Sequence, residues 1–191
     1  CIRDSKRIPL KSGLGGGSSN AASVLVAINK IFNLDLSKKK LIDLALVLGS
    51  DVPIFVHGRS SIATGRGEIF KKVSLVENPV LVIIPNSKVS TKLAFENFNN
   101  IESIKYSNKK NFNSFENWIR KNFSEIDKIF NYIENYNDAH LSGTGSAIYS
   151  MFNNFEEAQK IIDNAPSNMN CFLTTTLNNS PIEDEIKNYG V

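Results

Sequence analysis

Residues 9–20 read Pro9-Leu10-Lys11-Ser12-Gly13-Leu14-Gly15-Gly16-Gly17-Ser18-Ser19-Asn20 and run straight into the apolar stretch 21–32. The glycines let backbone N–H groups converge without a Cβ in the way, and a stretch of helical length and alanine content follows. An anion such as a nucleotide phosphate is then held by backbone donors and the positive end of the helix together. The bland alternative is a flexible linker or a plain turn. Ser18, Ser19 and Asn20 are good N-caps, so the pattern predicts a helix over 21–32 behind them. No Lys-Ser/Thr pair closes the loop, so it is not a Walker A motif, and Asn20 stands where a dinucleotide fingerprint needs its third glycine.

The 191-residue chain is 41% hydrophobic and 21% charged, which suits one large or two small globular domains. A chain of this size buries roughly 70% of its unfolded surface and needs no disulfide or structural metal. Cys1 and Cys171 form no CxxC or Cys/His spacing, so a reducing cytoplasm is expected, with no metal site. No run of about 18 apolar residues and no signal-peptide pattern is present, which argues against a membrane partner. The net charge of +3 and the isolated Lys38-Lys39-Lys40 cluster do not imply nucleic acid. The first residue is not Met and the loop follows almost at once, so the chain is expected to begin inside a domain.

Elsewhere, Ser37 as cap and Gly49 as stop predict a second helix with Leu41, Leu44, Ala45 and Leu48 on its apolar face. Ser50-Asp51-Val52-Pro53 opens a short third helix through Val56. Gly65-Arg66-Gly67 joins 61–64 to 69–73 as a hairpin. Glu77-Asn78-Pro79 is taken as a domain boundary. The second half reads as a strand over 80–84, a helix over 91–98, an Asn/Lys-rich loop to about 113, helices over 115–121 and 125–134, a strand over 147–152, a helix over 155–164 and a strand over 171–177. Strands alternating with helices around one sheet make an α+β class the expectation.

Three blocks in order, PLKSGLGGGSSNAA (9–22), GSDVPIFVHGRSSIATGRGE (49–68) and LSGTGSAIY (141–149), resemble the GHMP kinases, named for galactokinase, homoserine kinase, mevalonate kinase and phosphomevalonate kinase. The resemblance runs from about Lys6 to Pro181. It implies an α+β GHMP kinase fold: a partial ribosomal S5 domain 2-like N-terminal domain over 1–77, a ferredoxin-like C-terminal domain over 78–181 and a tail over 182–191. It also implies a cytoplasmic kinase with ATP and Mg2+ as cofactors and a small-molecule alcohol as acceptor. The triple glycine before SSNAA and the GSDVP block are most similar to the branch whose substrate is a cytidine diphosphate derivative, phosphorylated on a hydroxyl in isoprenoid synthesis. A homoserine- or mevalonate-type acceptor and a truncated, non-catalytic nucleotide-binding fragment stand as the alternatives. The family's opening strand with its Pro-Ala-Lys-type lysine has no counterpart here, so the chain resembles the last two thirds of such an enzyme.

The same resemblance assigns roles. Asp51 matches the catalytic aspartate, which orients the acceptor hydroxyl and takes its proton; read alone, an Asp before a Pro is a helix cap. Pro9, Leu10, Lys11, Ser12, Gly13, Leu14, Gly15, Gly16, Gly17, Ser18 and Ser19 match the ATP-binding loop, Ser19 meeting a phosphate or its Mg2+ or else capping the helix. Gly143, Thr144 and Gly145 match a loop that closes the active site, although such a triplet alone reads as a tight turn. Phe95 corresponds to an aromatic that stacks on cytosine, with a core position as the equal alternative. His57 and His140 are read as structural or surface residues.

Overall fold

The computed structural model describes residues 8–97 and 113–188. Cys1, Phe98 and nearly all of the Asn/Lys-rich stretch lie outside the described residues. By contact the described chain forms two compact units. A helical unit is built from Gly15–Glu77 with the residues from Leu177 onward, and a sheet unit from the residues up to Leu14 with Asn78–Thr176. The chain therefore enters the helical unit only at Gly15, in the middle of the glycine loop, and returns to it after Thr176.

The helical unit opens with α1 (Gly16–Ile31), followed by α2 (Lys38–Leu48), α3 (Val52–His57) and the antiparallel hairpin β1 (Ser61–Thr64) and β2 (Ile69–Lys72). The start of α1 departs from expectation. Ser18, Ser19 and Asn20 lie inside the helix, because Gly15 turns left-handed at φ 67° and serves as the cap residue without any side-chain hydrogen bond. Ser37 does cap α2, accepting from the Lys40 N–H, and the helix stops before Gly49. Only part of the expected α2 stripe is core: Leu41 and Ala45 are buried with Ala22, Val52 and Val56, whereas Leu44 and Leu48 are exposed. Each buried valine or leucine side chain here contributes about 1.5–3 kcal/mol, and the two alanines less.

The sheet unit holds β3 (Pro79–Ile83), α4 (Thr91–Glu96), α5 (Glu116–Asn122), α6 (Ser124–Glu134), β4 (His140–Leu141), β5 (Ile148–Met151), α7 (Phe155–Asp163) and β6 (Cys171–Thr175). Its four strands are antiparallel in the order β4-β5-β3-β6, with β3 central between β5 and β6. Strand, helices, two strands, helix and strand in this order is the ferredoxin-like arrangement that the resemblance implies. β3 is buried along its whole length. On one side Leu81 and Ile83 pack with Ile119, Ile126, Phe130, Ile133 and Ile148. On the other, Val80 and Val82 meet Ala147 and Leu14. A final helix α8 (Ile182–Asn188) stands where a tail is expected. No helix of the described residues is long and apolar enough to cross a membrane. The mixed α+β class read from the sequence is the one observed.

Candidate functional site

In the helical unit the site is built on the first turn of α1. Ser19 N donates to Gly15 O at 2.8 Å, the first bond of the helical ladder. The N–H groups of Gly16, Gly17 and Ser18 precede that bond, and no side chain caps the helix. The result is a glycine-lined, uncapped helix N-terminus, which suits a phosphate oxygen. Gly15 is held from behind: a Cβ there would stand 2.8 Å from Cζ of Phe55. Phe55 belongs to α3, one turn after Asp51, so the same helix supports the glycine loop and carries the candidate base.

Asp51 occupies the N-cap position of α3 in αR conformation, is exposed, and makes no capping hydrogen bond. The position of a cap is thus kept without its bond, which leaves the carboxylate available for other work. The hairpin turn also reaches this segment. A Cβ on Gly67 (φ 110°) would stand 2.2 Å from the Ser50 carbonyl oxygen, so only a glycine lets the turn lie against the residue before Asp51. His57, at the end of α3, stacks on Phe70 at 4.4 Å between ring centroids. Burial first, then Lys38 and Arg59, hold its imidazole below the ordinary histidine range, in keeping with a structural role.

In the sheet unit the first half of the glycine loop lies against the second glycine loop. Ala147 N donates to Ser12 O at 2.8 Å, and Ser142 Oγ donates to Gly13 O at 3.0 Å. Ser12 is buried, its hydroxyl donating to Pro9 O. Leu10 and Lys11 are exposed on the outside of the turn, Lys11 at φ 58°. The loop containing Gly143, Thr144 and Gly145 is closed by two bonds, Ser142 N to Ala147 O and Gly145 N to Ser142 O, both at 2.9 Å. It is a tight turn, as the triplet alone suggests, and it is also bound to the glycine loop.

Phe95 is not a core residue. It is 58% exposed, while Ala94 is the residue that α4 buries. Its ring meets Phe115 edge-on, with centroids 5.1 Å apart and planes at 76°. α4 is tied to the second glycine loop at its start, where Thr91 Oγ1 and Thr144 Oγ1 are 3.2 Å apart. Two residues that the sequence reading passed over belong to this region. Asn113 Nδ2 donates to the carbonyls of Leu141 and Gly143, and Glu116 accepts from Leu141 N. Burial is the largest influence on the Glu116 carboxyl and pushes it above the ordinary glutamate range. The only sequence signal for Asn113 is an Asn just ahead of a helix start, which reads as an ordinary turn.

Comparison with known proteins gives a consistent picture. The family description "GHMP kinases N terminal domain" matches residues 2–59, and "GHMP kinases C terminal" matches residues 93–171. The 4-diphosphocytidyl-2-C-methyl-D-erythritol kinase of Wigglesworthia glossinidia brevipalpis is 39% identical over 188 residues, covering 95% of this chain and 62% of that protein. The protein of the same name from Psychromonas ingrahamii is 34% identical over 185 residues, covering 94% and 65% respectively. The chain thus spans less than two thirds of the length of these curated relatives. A solved structure of 4-(cytidine 5'-diphospho)-2C-methyl-D-erythritol kinase superposes with a TM-score of 0.76 at 27% identity, covering 90% of this chain and 68% of that one.

Proposed function

The chain belongs to the GHMP kinases, and on that premise we propose that its protein transfers the γ-phosphoryl group of ATP to the 2-hydroxyl of 4-diphosphocytidyl-2-C-methyl-D-erythritol, in the cytoplasm, for non-mevalonate isoprenoid synthesis. The observation that carries the reading is the uncapped glycine start of α1, supported by the helix that bears Asp51. We assign residues 1–77 to the family's N-terminal domain and 78–181 to its C-terminal domain, with 182–191 as a tail; the compact units cross these bounds, because residues up to Leu14 join the sheet unit and those from Leu177 join the helical unit.

In the reaction an oxygen–phosphorus bond forms between the acceptor hydroxyl and the γ-phosphorus, the bond to the β-phosphate oxygen breaks, and ADP leaves. Asp51 orients the hydroxyl and takes its proton. Residues 9–19 hold the phosphates of ATP through backbone N–H groups. Residues 143–145 supply the closing loop, and Phe95, with its exposed face, stacks on the cytosine of a cytidine diphosphate derivative.

Among the described residues no group of three or more His, Cys, Asp or Glu could hold a metal ion. Mg2+ needs no such cage, because it keeps several waters and the phosphates as ligands and takes few protein groups, a serine or threonine hydroxyl at a phosphate-binding helix start among them. The hydroxyl of Ser19, in the first turn of α1 and not used for capping, fits that requirement. When bound, the ion neutralises charge on the transferring phosphoryl group.

The test is a steady-state comparison of acceptors in the intact protein. ATP-dependent phosphorylation of 4-diphosphocytidyl-2-C-methyl-D-erythritol is expected. Preference for homoserine or mevalonate would replace the proposed substrate.

A further inference from the structure

We infer that residues 113–116 are a clamp that sets the 143–145 loop for phosphoryl transfer, with Asn113 as its positioning residue. The inference rests on the kinase reading above. One nitrogen, Asn113 Nδ2, donates to Leu141 O at 3.0 Å and to Gly143 O at 2.8 Å. The oxygen of the same side chain accepts from Phe115 N at 2.9 Å, fixing the turn that starts α5. Glu116 Oε2 accepts from Leu141 N at 3.2 Å, so both backbone groups of Leu141 are held by one turn of chain. The loop's other attachments are Ser142 Oγ to Gly13 O and the Thr144–Thr91 hydroxyl pair.

This arrangement does more than brace a turn. Asn113 takes up the carbonyls of Leu141 and Gly143, while among the described residues the N–H groups of Gly143 and Thr144 have no acceptor. With the Gly143 carbonyl held by Asn113 and the Gly145 amide by Ser142 O, the Gly143 and Thr144 amides are the ones the turn can offer to an anion. Between Asn113 and Glu116, Phe115 presents its ring to Phe95. The turn therefore touches both the closing loop and the aromatic assigned to the acceptor base. Binding of the base against Phe95 and the setting of residues 143–145 are coupled through residues 113–116.

Asparagine is the residue this needs. Aspartate keeps the oxygen that accepts from Phe115 N but cannot donate to either loop carbonyl, so Asn113→Asp removes the clamp and retains the turn. In the intact protein, kcat should fall on the order of 10- to 100-fold, the loss of two hydrogen bonds, with KM for ATP changed by no more than about twofold. In parallel, hydrogen exchange at residues 143–146 should be on the order of 10-fold faster. Asn113→Ser, which can still accept from Phe115 N and donate one bond, should lie between the two; it also serves if the aspartate variant folds poorly. A variant with normal kcat and unchanged exchange, or one that loses only melting temperature, overturns the clamp. If the unaltered protein phosphorylates none of the candidate acceptors, the kinase reading fails by itself. Exchange at 143–146 then still decides the clamp, faster in Asn113→Asp if it holds and unchanged if it does not.

Discussion

Gly17→Ala separates what the fold needs from what a phosphate needs at the start of α1. Gly17 lies in the first turn at an ordinary helical backbone conformation, and a Cβ there meets nothing within 4 Å. Alanine in a helix is favoured over glycine by about 0.5–1 kcal/mol, through the smaller entropy loss on folding. In a protein of this size that corresponds to a rise of roughly 1–4 °C in melting temperature. A phosphate drawn up to the backbone at this turn would instead meet the new methyl group, and the affinity for ATP should fall on the order of 10-fold or more. Calorimetric titration with ATP beside a thermal melt reads both quantities. Gly13→Ala is the contrasting control. Gly13 has φ 76° and an added Cβ would stand 2.1 Å from Ser142 O, so that variant should lose stability outright. If Gly17→Ala gains stability and binds ATP normally, the glycine turn does not cradle phosphate and the functional reading loses its main support.

Three further outcomes are expected. Asp51→Asn should lower kcat on the order of 10² to 10⁴ with ATP affinity nearly unchanged; because Asp51 makes no capping bond, its melting temperature should not move, whereas a working cap would cost about 0.5–2 kcal/mol. Phe95→Ala should weaken the cytidylated acceptor by about 1–3 kcal/mol and ATP much less, beside a stability loss on the order of the 0.5–1.5 kcal/mol of its edge-on pair with Phe115, so an equal loss for both ligands would contradict stacking. Glu125 is held below the ordinary glutamate range chiefly by the Ser87 hydroxyl, with N–H groups of Asn86 and Ser87 adding to it. A depressed carboxyl adds stability that is full above the unfolded value of about 4.3 and is lost as pH falls through the lower folded one. Glu125→Gln should therefore flatten the acid limb of the melting curve below about pH 4.

Local punctuation was legible where it acts locally. The Ser37 cap and the stop at Gly49 delimit α2, and Gly65-Arg66-Gly67 turns the hairpin, because each depends on a few neighbouring residues. The start of α1 was misplaced because serine and asparagine are usual caps, whereas here a left-handed Gly15 does that work. The apolar period of α2 marks a stripe but not what covers it, so Leu44 and Leu48 share the apolar face with Leu41 and Ala45 yet stay exposed. β4 has two residues, too few to show a period, and is defined only by its pairing with β5 across the short turn between them. Asn113 was invisible for a different reason: its partners, Leu141 and Gly143, lie far along the chain. That the glycine run opens a helix was legible, since a left-handed turn into an apolar stretch favours glycine.

31P NMR of the product formed by the intact protein from ATP and 4-diphosphocytidyl-2-C-methyl-D-erythritol decides whether the 2-hydroxyl is the acceptor. A new phosphomonoester at the 2-oxygen is expected, formed with stoichiometric ADP and lost in Asp51→Asn. ATP binding with no phosphorylated product, or a product phosphorylated at another hydroxyl, would contradict it.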